Sequence, residues 1–173
     1  MADGEEIASL QLIDSPAPTR GLDRLPDRFF NHCSNIGIFG SELAAHDGSD
    51  APRVPDWLMP HFRATIEMLH DYHAPPMEVE QQLKVSVIWA GSSAFDGGDY
   101  ALLPVAPANE ETSKGMAFLT EKRQDLGLGE WADLFPGQEI RVHVLEDEHH
   151  FSMMRGEGAK KLSGLIKDSI CSD

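Results

Sequence analysis

The sequence predicts an α/β protein built on about three parallel strands. Two observations carry this. Three short Leu- or β-branched-rich runs are each followed at once by polar and small residues. Long helix-capable segments separate them, as parallel crossovers require.

The first run, Ser9 to Ile13, stops at Asp14-Ser15-Pro16, with Pro18 close behind. The second, Leu83 to Ala90, ends at Gly91-Ser92-Ser93. The third, Ile140 to Leu145, runs into Glu146-Asp147-Glu148-His149-His150. Between the first two, apolar residues recur at Leu58, Phe62, Ile66, Leu69 and Tyr72, a helical stripe over Trp57 to His73. Pro60 suits its first turn and Pro75-Pro76 ends it. Ala159, Leu162, Ile166 and Ile170 form a second stripe, with Lys160, Lys161 and Lys167 on the other face. Ala44 to Val54 and Gly91 to Thr112 read as irregular. Natural parallel sheets generally have more than three strands and are covered on both faces. The chain therefore reads like the second half of a larger α/β domain.

Composition narrows the function. A length of 173 residues fits one domain, and a formal net charge of −15 argues against a binder that tracks nucleic-acid phosphates. The same charge disfavours anionic membrane surfaces. No apolar run approaches the ~18 residues of a membrane span. The acidic start Asp3-Gly4-Glu5-Glu6 does not resemble a secretory leader. Cys33 and Cys171 form no C-x-x-C and suggest no disulfide framework, so a reducing, cytoplasmic setting is expected.

In open α/β sheets, sites form beyond the carboxyl ends of the strands. That places Asp14 after the first strand and His150 after the last. A carboxylate that orients an imidazole is the acid–base part of a nucleophilic triad. The plainer reading is a turn at Asp14-Ser15-Pro16 and a solvated His149-His150 loop. Asp96 and Asp99 are runner-up acids, and Ser15, Ser92 and Ser93 are the serines nearest to strand ends. Neither His70-x-x-His73 nor the Asp147 to His150 cluster has a recognised metal-ligand spacing, so no metal and no cofactor is expected. Trp57, Trp89 and Trp131 read as core or lid anchors.

Several blocks carry a resemblance. They are Leu12-Ile13-Asp14-Ser15-Pro16, Gly21-Leu22-Asp23-Arg24-Leu25-Pro26-Asp27-Arg28-Phe29-Phe30 and Asn35-Ile36-Gly37-Ile38-Phe39-Gly40. Further along are Pro55-Asp56-Trp57-Leu58-Met59-Pro60-His61-Phe62, Val87-Ile88-Trp89-Ala90 and His150-Phe151-Ser152-Met153-Met154-Arg155-Gly156. In this order, over nearly the whole chain, they resemble the thioesterase/Claisen-cyclase domain of fungal non-reducing polyketide synthases. The resemblance implies a single, partial α/β-hydrolase domain over 1–173 with a helical lid over about 21–76. It implies that Asp14 is the acid and His150 the base. His149 stands where the family usually has a non-basic residue. Phe29, Phe30, Ile36, Phe39, Trp57 and Phe62 become candidates to line the acyl chamber. The implied partner is a polyketide acyl chain carried on a phosphopantetheinyl acyl carrier protein.

One departure stands out. The family's nucleophilic serine sits in a Gly-x-Ser-x-Gly elbow, and none occurs in these 173 residues. Gly91-Ser92-Ser93-Ala94-Phe95 fails at its last position. Triad chemistry without a nucleophile has nothing to acylate, so the chain alone is expected to be a poor thioesterase. A second chain supplying the N-terminal half is one expected partner. Two other readings stay open: a non-catalytic accessory protein that binds a polyketide or a carrier, and a serine-independent cyclase or hydrolase with His150 as general base.

Overall fold

The computed structural model describes residues 7–19, 24–27, 29–31, 55–77, 82–93, 117–119 and 121–171. The chain divides into two compact units. One comprises Met1–Thr19, Ala74–Ser93 and Lys122–Asp173, and the other Arg20–His73 and Ala94–Glu121.

The first unit holds a three-stranded parallel sheet. Strands β1 (Ser9–Ile13), β2 (Lys84–Ala90) and β3 (Ile140–Leu145) lie in the order β1-β2-β3. The central strand is the most apolar, and every residue from Val85 to Ala90 is buried. A parallel strand covered on both faces needs an uninterrupted apolar run, and VSVIWA supplies one apart from Ser86.

Register decides which side chains share a face. Ile13 pairs with Ile88, Ile88 with His143 and Ala90 with Leu145, so these point the same way. Helix α3 (Gly156–Cys171) covers that face, following the short helix α2 (Trp131–Leu134) and a 3-10 turn at Ser152–Met154. Ile88, Ala90, Leu145, Met153 and Leu162 make the core there, with Ile13, Leu165 and Ile166 packed against it. The face of α3 turned inward differs from the expected stripe at its end. Ile170 is exposed, and Ser169 is buried instead. The reason is polar: Ser169 Oγ lies 2.7 Å from Ser86 Oγ and accepts a bond from Gln11 Nε2 at 3.0 Å. The sheet face is polar where it meets the last turn of α3, and a serine satisfies it where an isoleucine would not.

On the opposite face Val85, Val87 and Trp89 are buried, and the Trp89 indole donates to the Gly127 carbonyl at 2.9 Å. Trp131, Leu134 and Phe135 are buried as well, with the Trp131 and Phe135 rings stacked at 6.2 Å. The Trp131 indole donates to the Ser15 carbonyl at 3.0 Å, which ties α2 to the chain just after β1.

The second unit contains helix α1 (Leu58–Asp71), slightly shorter than the stripe implies. Tyr72 is already extended, so the stripe's last member falls beyond the helix and is exposed. Phe29 and Phe30 are buried, and Phe30 meets Phe62 edge-on at 5.7 Å. The Arg63 guanidinium lies 4.2 Å over the Phe30 ring and pairs with Asp27. Arg24 pairs with Glu67 at 2.9 Å. The segment expected as a lid, 21–76, lies in this unit up to His73, while residues from Ala74 group with the sheet.

Candidate acid–base site

The three strands run the same way, so their carboxyl ends bring three connections together. Asp14 follows β1, Gly91 follows β2, and the stretch from Glu146 to His150 follows β3. Contact between the last two is close. A Cβ on Gly91 would lie 2.7 Å from Glu146 Cα, so only glycine lets these backbones approach. The Gly91 amide donates to Leu145 O at 2.9 Å and the Ser92 amide to Glu148 O at 3.0 Å, which docks the histidine loop on the end of β2.

Asp14 sits in the left-handed region with φ +40°, while its amide donates to Ile88 O at 2.8 Å. Aspartate enters that region more readily than most residues, at a cost of roughly 1–2 kcal/mol. The side chain is 1% exposed. Its Oδ1 accepts the Ala90 amide at 2.8 Å and a guanidinium N–H of Arg123. Its Oδ2 lies 2.8 Å from His150 Nδ1. Burial alone would raise the Asp14 carboxyl's pKa, but the bonds from His150, Arg123 and the Ala90 amide outweigh it and hold the pKa below the ordinary value. An ionised carboxylate only accepts hydrogen bonds, so Nδ1 of His150 carries the hydrogen and Nε2 is the nitrogen that exchanges a proton. The imidazole is 35% exposed and meets the Phe151 ring edge-on at 5.1 Å.

The loop that carries His150 is fastened by polar bonds. Ser152 Oγ accepts the His149 amide at 2.9 Å and donates to Glu148 Oε2 at 2.7 Å. Glu148 Oε1 pairs with Lys161 of α3 at 3.0 Å. The bonds from Ser152 and Lys161 hold the Glu148 pKa below its ordinary value. His149 plays a different part from its neighbour. Its Nδ1 accepts the amides of Phe151 and Ser152 at 3.3 Å each, and burial lowers its pKa. A neutral ring is what that acceptor role requires.

The other expected residues have their own bonds and surroundings. Ser15 Oγ donates to Pro16 O, Ser92 Oγ donates to Glu146 O, and Ser93 is buried. Phe29, Phe30 and Phe62 form the aromatic cluster of the second unit, and Trp57 is 60% exposed rather than buried. Ile36, Phe39, Cys33, Asp96 and Asp99 lie outside the described residues. Among the described residues, no group of three His, Cys, Asp or Glu side chains is placed to hold a metal ion. No described helix is long and apolar enough to cross a membrane.

Arg123 is the residue that sequence reasoning missed. It bonds Asp14, donates to Ala90 O at 3.1 Å, and lays its guanidinium 4.9 Å from the Trp89 ring centroid. In sequence it stands in Glu121-Lys122-Arg123-Gln124-Asp125, which has the composition of a solvated surface run.

The chain is 57% identical over 172 residues to a non-reducing polyketide synthase of Cercospora beticola, covering 98% of this chain and 8% of that protein. It is 39% identical over 148 residues to one of Byssochlamys spectabilis, covering 86% of this chain and 6% of the relative. A conidial pigment polyketide synthase of Aspergillus fumigatus is 37% identical over 180 residues, covering 99% of this chain and 8% of the relative. No family model matches the chain. Its homologues are thus non-reducing polyketide synthases and point to polyketide biosynthesis, and the chain spans less than a tenth of their length.

Proposed function

We propose that the chain is the acid–base part of a thioesterase/Claisen-cyclase unit with an α/β-hydrolase fold. In this reading it serves release of a polyketide from a phosphopantetheinyl acyl carrier protein, by hydrolysis or ring closure. The observation that carries it is the 2.8 Å contact between Asp14 Oδ2 and His150 Nδ1, at the carboxyl ends of parallel strands, on a carboxylate that is buried. Asp14 fixes the tautomer and stabilises imidazolium, and Nε2 takes a proton from the attacking group and returns it to the leaving thiolate. The attacking hydroxyl comes from residues outside this sequence, which holds no serine elbow. In this reading the aromatic residues Phe29, Phe30 and Phe62 fall in the segment, about 21–76, that the resemblance implies as a lid. Similarity to polyketide synthases across 98% of the chain supports the substrate class.

The test is a graft. These residues replace the corresponding segment of the Cercospora beticola synthase, and released polyketide is measured. The graft is expected to release product. His150→Ala is expected to lower release by about a thousandfold or more, and Asp14→Asn by about ten-thousandfold, while acyl chains stay on the carrier. Undiminished release from either variant overturns the proposal.

A further inference from the structure

Asp14 presents an electrostatic problem that the histidine alone does not solve. A carboxylate that is 1% exposed is costly to keep ionised, and a neutral imidazole brings it a hydrogen bond but no charge. Among the described residues, three stretches meet the Asp14 carboxylate. The end of β2 offers the Ala90 amide, which is uncharged, and the loop after β3 offers His150, with His149 farther off. The stretch before α2 offers Arg123, the permanent cation facing Asp14 among the described residues. The Arg123 side chain is itself only 14% exposed.

We infer that Arg123 is a positioning residue for the Asp14–His150 pair, supplying the fixed charge that keeps Asp14 ionised and reserving Oδ2 for the imidazole. Its role in turnover rests on the proposed function; its effect on Asp14 does not. The geometry divides the carboxylate: Oδ1 is occupied by Arg123 and the Ala90 amide, and Oδ2 is left facing His150. The guanidinium is held in turn by Ala90 O and the Trp89 ring, so it cannot follow the carboxylate if the latter turns. Without the cation, the inexpensive state of the site is a protonated Asp14. A carboxylic acid can donate to Nδ1, and His150 then loses the tautomer that leaves Nε2 as base.

The 173-residue chain, labelled with carbon-13 at aspartate side chains, is titrated by NMR as wild type, Arg123→Met and Arg123→Lys. Methionine keeps apolar contact with Trp89 and removes the charge; lysine keeps the charge. The Asp14 curve is expected to move to higher pH in Arg123→Met and to return toward wild type in Arg123→Lys. An Asp14 curve in Arg123→Met that coincides with wild type overturns the inference, because a role in packing alone leaves that curve in place. Should Arg123→Met not fold, Asp14→Asn/Arg123→Met, which has no charge to compensate, is expected to fold; a double variant that is equally unfolded also overturns it. No readout involves substrate, so the graft and this titration fail independently.

Discussion

Asp14 and His149 both have lowered pKa values, yet they act in different pH windows. Asp14 binds its proton less readily folded than unfolded, where its ordinary value is 3.8. Its stabilisation is complete above that value and is lost as pH falls through the lower folded value. His149 has its pKa lowered by burial from 6.5, so its contribution is present above 6.5 and is lost on acidification below it. Unfolding free energy measured against pH is therefore expected to fall in two steps. Asp14→Asn should flatten the more acid step and His149→Gln the one that sets in as pH falls below 6.5. One residue was legible and its partner was not. Asp14 stands at a strand end before a proline, a position that a sequence displays. Arg123 acts over a separation of 109 residues, and nothing in its neighbours distinguishes it from a surface cation.

At the scale of elements, the joint between the 3-10 turn and α3 sets where His150 stands. A Cβ on Gly158 would lie 2.9 Å from Met153 Cα and closer still to the Ser152 carbonyl oxygen. Gly158→Ala gains up to about 1 kcal/mol of helix propensity, which is the smaller effect. Backbone cannot yield as a flexible side chain does, and overpacking costs about 1–3 kcal/mol. The variant is expected to be destabilised in denaturant unfolding, and α3 displaced from the turn should loosen the Glu148–Lys161 pair. The strands were legible because each is an apolar run ended by small or polar residues, and β2 begins only one residue later than expected. The inward face of α3 was only partly so. Hydrophobic spacing points to Ile170, while the Ser86 and Gln11 side chains on the sheet make Ser169 the better neighbour. A choice made by the polarity of a facing strand leaves no mark in helical periodicity.

At the scale of the whole molecule, homologues that are polyketide synthases point to polyketide biosynthesis, and the Asp–His pair at the strand ends is what the proposed release chemistry draws on. The order of motifs along the chain was readable, as was their link to polyketide synthases. The division into two compact units was not, because the stretch from Ala74 to Ser93, which carries β2, groups with the sheet and not with the unit of α1 that precedes it in sequence. The most direct measurement is the tautomer of His150, read from the nitrogen-15 resonances of its ring in the intact chain near neutral pH. Hydrogen on Nδ1, lost or redistributed in Asp14→Asn, is the expected result. Hydrogen on Nε2 while Asp14 is in place, or a spectrum indifferent to Asp14→Asn, would contradict a proton-handling pair.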